Sequence, residues 1–311
     1  MIDVVKDSSR DEIEDKIILA GRIGGQVRRE GVARICEGTT YLEVMDYCER
    51  RIVELGGGIA WAQMAVNDIA AHYCPEQDDV GVFKVGDLVK IDIGVHIDGY
   101  IADNAMTVEV GSVTGVRQEL IKTSQNALRA AIKLVRPGVQ LWELGEAQTS
   151  ETEKAGFQIV RNLAGHSIEQ YRVHAGISIP TYNSKEKTQL VEGMQIAIEP
   201  FITNGVGLIK EGNNPSIFMV ANKRMPRSPY ARKILEQVAP QNGLPFTTRW
   251  LTRTLGKGPA LLGLRELLRE GIVRAYPPLP EVKGGLVAQF EHSMIVKDKT
   301  LVYTRHEDDT W

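Results

Sequence analysis

Four carboxylates and a histidine in this chain stand inside stretches that otherwise read as buried strand. Asp92 interrupts LVKIDIGVHI, residues Leu88–Ile97, where Val89, Ile91, Ile93, Val95 and Ile97 share one face. Asp98-Gly99 is a two-residue hairpin signal, and residues 100–110 read as the returning strand. In that register Ile97 faces Tyr100 and Gly94 faces Asp103. Asp92 and Asp103 are then diagonal neighbours on one sheet face, opposite the valine and isoleucine row. Two carboxylates converging on a half-buried face repel each other and lose hydration, so either one takes a proton or a cation sits between them. The hairpin by itself leaves a plainer alternative open, in which the aspartates reach solvent at a sheet rim, and a bulge would shift the register.

Further candidate ligands lie downstream. His166 sits in NLAGHSIEQYRVHAG, with His174 eight residues later. Glu199 sits in MQIAIEPF, where Met194, Ile196 and Ile198 alternate with Gln195, Ala197 and Glu199. Glu291 sits in LVAQFEHSMIV. Singly, each has an ordinary reading: a histidine satisfied in the core, or a glutamate on a solvent face. Together, four carboxylates and one imidazole suit paired divalent ions such as Mn, Fe, Co or Zn. Two such ions about 3.5–4 Å apart clamp a water and polarise a carbonyl, the apparatus of metal-assisted hydrolysis.

The elements that must position these residues follow from capping and periodicity. Ser9 and Glu12 form a capping-box pattern that opens a helix running to about residue 36. Thr40 and Glu43 repeat the pattern, and Met45, Cys48, Ile52 and Leu55 form one face of a second helix, ended by Gly56-Gly57-Gly58. Two more helices are expected over 116–135, stopped by Pro137-Gly138, and over 141–155, stopped by Gly156. The order helix, helix, strands therefore occurs twice and suggests two similar halves. Between 208 and 271 the character changes to NNP, KRMPRSP and helical runs near 230–238 and 261–270, which read as a helical insertion. Residues 286–296 and 300–305 read as a closing strand pair.

Composition sets the class. The chain has 311 residues, 43% hydrophobic and 25% charged, which excludes a long disordered chain, a collagen-like fibre and a multi-span membrane protein. Lys plus Arg is 37 against 40 Asp plus Glu, a net charge of −3, without the basic excess of a protein whose main task is gripping nucleic acid. Cys36, Cys48 and Cys74 form no C-x-x-C pair, which predicts no disulfide framework and a reducing compartment. The start of the chain is acidic and lacks the pattern of a signal peptide, and no long apolar run is present. A soluble cytoplasmic protein is expected.

With these motifs in place, the chain resembles the methionine aminopeptidases, and more narrowly those of type II in the archaeal style. The resemblance rests on Asp92 and Asp103 in KIDIGVHIDGYIAD, His166 in NLAGHSIEQYRVHAG, Glu199 in AIEPF and Glu291 in AQFEH, and covers nearly the whole chain. It implies the pita-bread fold, an α+β architecture with a pseudo-symmetric antiparallel sheet backed by helices. The catalytic domain would span 1–207 and 273–311, with the type II helical insertion at 208–272. It implies hydrolytic removal of the initiator methionine. Asp92 would bind one ion, Asp103 and Glu291 would bridge two, and His166 and Glu199 would complete the second. The bridging water would be the nucleophile, with Glu199 taking its proton. His72 and His174 would face the substrate and stabilise the oxyanion, while Val173, Phe201 and Tyr276 would line the methionine pocket. The partner would be a peptide or nascent-chain N-terminus near the ribosome, with no membrane and no specific nucleic acid, and the enzyme would act as a monomer.

One segment departs from the family pattern. The family has Ala-Phe-Pro twelve residues before the first substrate-side histidine, and its Phe lines the pocket; here that position is Ala60, followed by Trp61. Either Trp61 shifts in register and fills the wall, or the pocket is looser. The competing readings are an aminopeptidase P or prolidase-like enzyme of the same fold and a non-catalytic relative that binds protein or RNA.

Overall fold

The computed structural model describes residues 8–112, 115–307 and 309. Helices α1 (Ser8–Val32) and α2 (Tyr41–Glu54) lead into strands β1 (Gly58–Val66), β2 (Leu88–Ile97) and β3 (Tyr100–Glu109). Helices α3 (Gly115–Ile132) and α4 (Leu141–Lys154) lead into β4 (Gln158–Ile159), β5 (Ala164–Ile168), β6 (Ser178–Pro180), β7 (Gln195–Ile198) and β8 (Phe201–Thr203). There follow β9 (Ile217–Val220), α5 (Pro229–Val238), β10 (Phe246–Thr247), α6 (Thr248–Leu255), α7 (Lys257–Arg269) and β11 (Val273–Tyr276). The closing strands are β12 (Val287–Gln289), β13 (Glu291–Ile295) and β14 (Leu301–Val302).

The helices begin where local chemistry satisfies their free N–H groups. Thr40 Oγ1 accepts from Glu43 N at 3.1 Å while Thr40 N donates to Glu43 Oε2 at 2.9 Å, the expected reciprocal cap of α2. Gln140 N donates to Glu143 Oε1 at 2.9 Å at the start of α4. The Ser9 half of the other expected cap belongs to side chains outside the described residues. Helix α1 stops at Val32, short of 36, because Arg34 N and Ile35 N turn to the carbonyls three residues back.

The main sheet runs β1-β2-β3-β13-β7-β5-β6, with β14 on β13, and all its pairings are antiparallel. Val27, Val44, Ile52, Ile91 and Val95 lock α1 and α2 behind the first three strands. Leu128, Leu144, Ile196, Ile198 and Met294 do the same for α3 and α4 behind the other half. This is the expected pseudo-symmetric, helix-backed sheet. The β2–β3 hairpin has the expected register without a shift, Ile97 opposite Tyr100 and Gly94 opposite Asp103. Its turn residues Asp98 (φ 51°) and Gly99 (φ 85°) are both left-handed, as a tight right-twisted hairpin requires.

The region after 208 holds more than helices. Strands β10-β9-β11 form a second sheet, packed with α5, α6 and α7 around Phe218, Ile234, Phe246, Leu251 and Leu267. These strands have two to four residues, too few for a readable alternation, and α6 has only eight. A polar seam fastens this unit to the rest. The fully buried Arg249 of α6 pairs with Glu49 of α2, donates to the Pro75 carbonyl at 2.7 Å and lies 3.3 Å from Asp46. Trp250 Nε1 donates to the same Glu49 at 2.9 Å. Replacing Arg249 by Ala leaves the buried Glu49 without its charge partner and is expected to cost about 3–5 kcal/mol in equilibrium urea unfolding. Lys257→Ala, at an exposed pair with Asp78, is expected to leave the unfolding midpoint nearly unchanged.

Candidate metal centre

The sheet presents its chemistry on the face turned away from the four helices. Along one row, Gln63 faces Asp92, Asp92 faces Ala105 and Ala105 faces Glu291. Two residues along the strands, Trp61 faces Gly94 and Gly94 faces Asp103. Asp103 N donates to Ser293 Oγ at 3.1 Å, Ser293 faces Ala197, and Ala197 faces His166. Glu199 follows β7 two residues past Ala197 and so continues on this face. Acidic positions thus alternate with Gly94, Ala105, Ser293 and Ala197. Those small residues leave the room in which longer side chains converge.

The convergence is tight. Asp103, His166 and Glu291 each offer one ligand atom, and these atoms lie within 4.8 Å of one another. His166 Nε2 is 3.3 Å from Asp103 Oδ2 and 3.8 Å from Glu199 Oε1. Asp92 is held on both oxygens by neutral donors: Trp61 Nε1 at 2.7 Å on Oδ1 and Gln63 Nε2 at 2.8 Å on Oδ2. Gln289 Nε2 donates to Glu199 Oε2 at 3.2 Å. Both oxygens of Glu291 and Oδ1 of Asp103 are buried without a donor. Asp103 and Glu291 can hydrogen-bond each other only if one of them holds a proton.

Burial shapes the titration. It pushes Asp92 up to about 7, with the nearby charge of Asp103 adding to the effect. Burial also raises Asp103 to about 7, and lifts Glu199 and Glu291 well above the usual carboxylate range, helped by the neighbouring carboxylates. Burial lowers His166, His174 and His72 to about 4, which keeps all three imidazoles neutral near pH 7. Among the described residues, no Lys or Arg lines the cavity, of about 250 Å³, onto which Asp92, Asp103, His166 and Glu199 open. Across the cavity itself, protons or bound cations are left to offset the carboxylates. The donor set, oxygen-rich with one imidazole and with unpaired buried anionic oxygens, fits divalent metal ions.

The expected substrate-side residues line this same cavity: His72, Val173, His174, Phe201 and Tyr276. His174 packs edge-on against His166, ring centroids 4.6 Å apart, and His72 against Tyr276 at 5.6 Å. His72 has a left-handed backbone (φ 63°), and its N–H donates to Gln63 Oε1 at 3.1 Å. Gln63 therefore joins His72 to Asp92. Sequence reasoning missed Gln63 and Gln289. The available signal was strand alternation, because Gln63 lies two residues from Trp61, and Gln289 is a polar residue inside the apolar run LVAQFEH. At the departing segment, Ile59 faces Val95 but Trp61 faces Gly94, so Ala60 is an extra residue in a bulge. Trp61, not Ala60, forms the cavity wall.

The family model for metallopeptidase family M24 matches residues 15–298. The chain belongs to metallopeptidase family M24. It is 44% identical over 290 residues to a methionine aminopeptidase of Archaeoglobus fulgidus, covering 93% of this chain and 97% of that one. A methionine aminopeptidase of Pyrococcus horikoshii is also 44% identical, over 293 residues, 93% of this chain and 98% of the relative. Among solved structures, a methionine aminopeptidase from Thermotoga maritima superposes with a TM-score of 0.70 at 22% identity, covering 95% of this chain and 97% of that chain. A thermophilic Arx1 gives 0.83 at 15% identity, covering 94% and 90%. A prolidase from Pyrococcus furiosus gives 0.60 at 18%, covering 95% of this chain and 64% of that chain. At these identities the three structures speak for the fold alone. The prolidase-like and non-catalytic readings are not favoured.

The raised carboxylates of this metallopeptidase set a stability trend. A folded-state pKa near 7 for Asp103 favours the protonated form, so its contribution to stability is fully present below about pH 4 and lost as pH rises through about 7. Asp103→Asn has no such charge to bury. In thermal melts of metal-stripped protein, the variant is expected to gain on the parent from about pH 5 to about pH 8. With Mn²⁺ added, the parent is expected to gain more than the variant.

Proposed function

We propose that this chain is a metal-dependent aminopeptidase of the type II, archaeal style that removes the initiator methionine from new polypeptides. One observation carries the reading: Asp92, Asp103, Glu199 and His166 open onto a cavity that, among the described residues, no Lys or Arg lines, and Glu291 brings a ligand atom within 4.8 Å of those of Asp103 and His166. The family, and the relatives named as methionine aminopeptidases, point the same way. Asp92, Asp103, His166, Glu199 and Glu291 would hold the two divalent ions. Two divalent charges would neutralise four carboxylates. The ions, of the Co, Mn, Fe or Zn type, would polarise the scissile carbonyl and acidify the attacking water.

The remaining steps belong to the protein. Gln289 orients Glu199 through Oε2, and Glu199 would take the proton from the attacking water. His174, neutral near pH 7, would donate its N–H to the carbonyl oxygen as it becomes an oxyanion, with His72 beside it on the substrate side. The free α-amine meets the carboxylate side of the site. Trp61, Val173, Phe201 and Tyr276 hold the thioether chain. Ile217, Met219 and Pro245 close the opposite wall, which gives residues 208–272 their part as an inserted subdomain supporting the cleft on a catalytic domain of 1–207 and 273–311. A cytoplasmic, ribosome-proximal monomer suits a nascent-chain substrate. Among the described residues, no helix is long and apolar enough to cross a membrane.

A Met-Ala-Ser peptide assayed beside an Xaa-Pro peptide, with several metals, tests the reading; faster cleavage of the Xaa-Pro peptide overturns it. His166→Ala is expected to lose bound metal and most activity. His174→Ala is expected to keep the metal while kcat falls by about 10²–10³, the cost of one oxyanion donor. Metal analysis of both variants separates the two roles.

A further inference from the structure

We infer that Trp61 both positions the Asp92 carboxylate and sets substrate specificity, so that one side chain couples metal retention to recognition of the methionine side chain. This rests on the reading of Asp92 as a metal ligand. The bulge at Ala60 is the device that makes it so. Without the extra residue, Ala60 would face Gly94 and Trp61 would point to the helix side of the sheet. With it, the indole lies over Gly94 so closely that a Cβ there would fall on three ring atoms. The ring packs in a buried cluster with Val173, Ile101 and Leu244 and lines the cavity.

The indole N–H is a donor only, and Asp92 Oδ1 accepts it at 2.7 Å. Trp61 and Gln63 thus hold Asp92 by one hydrogen bond on each oxygen. A donated hydrogen bond slightly reduces the carboxylate's basicity, but it also removes the rotation that metal binding would otherwise have to freeze. Partners of this kind are worth about 10–100-fold in metal affinity. The same bond stops the ring from turning. The pocket wall is therefore rigid, and a rigid wall discriminates between side chains of different branching.

Trp61→Phe keeps the wall and removes the donor; Trp61→Leu removes both. Equilibrium dialysis of Mn²⁺ against metal-stripped full-length protein reads affinity without activity. The kcat/KM ratio of Met-Ala-Ser to Leu-Ala-Ser, at saturating Mn²⁺, reads specificity. Trp61→Phe is expected to weaken Mn²⁺ binding at least about tenfold while holding the ratio within about twofold. Trp61→Leu is expected to weaken binding similarly and to lower the ratio about tenfold or more. Parent-like Mn²⁺ affinity in Trp61→Phe, or a parent-like ratio in Trp61→Leu, overturns the inference. Asp92→Asn is the control for the underlying reading: if it binds Mn²⁺ as tightly as the parent, the ligand assignment fails, and the Trp61 proposal with it.

Discussion

The structure is organised around four largely buried carboxylates with no Lys or Arg, among the described residues, on the cavity beside them. Asp92, Asp103, Glu199 and Glu291 occupy one sheet face, and the basic groups on the cavity wall, among the described residues, are imidazoles that burial keeps neutral. A fold that gathered these carboxylates for stability alone would be poorly served, since their mutual repulsion and lost hydration oppose folding. The arrangement makes sense for a protein completed by cations. Other features follow from it: small residues between the acidic positions, neutral amide and indole donors instead of ammonium or guanidinium groups on Asp92, and a large hydrophobic investment behind the sheet. The apolar clusters under α1 and α2 and under α3 and α4 hold a surface that resists its own assembly.

Much of this was legible in the sequence because the key residues are governed by short-range rules. The Asp98-Gly99 turn fixes the hairpin register, and the register puts Asp92 and Asp103 on one face. The Thr40 cap starts α2 where the sequence says it should. Glu199 and Glu291 were visible as acids inside apolar runs. That these separate pieces meet His166 in one place was not derivable from local patterning. It came from resemblance, and the β3–β13 and β7–β5 pairings supply it physically.

The rest was hidden for identifiable reasons. A bulge has no local sequence signature, so Ala60 and Trp61 could not be assigned to faces by counting. The small sheet of β9, β10 and β11 pairs segments far apart in the chain with only a few residues each. Nothing local in the sequence marks Arg249, yet it lies fully buried against Glu49 and Cys74 from distant segments. Gln63 and Gln289 carry no charge to attract notice, although they orient two of the carboxylates.

The central claim is that the buried carboxylates converge to hold divalent cations. Anomalous diffraction from crystals of the Mn²⁺-loaded protein near neutral pH tests it most directly. The account predicts anomalous peaks at coordination distance, about 2.0–2.3 Å, from oxygens of Asp103 and Glu291, with His166 and Asp92 on opposite sides of the pair. A map with no peak between Asp103 and Glu291, at a Mn²⁺ concentration that supports peptide cleavage, would contradict it.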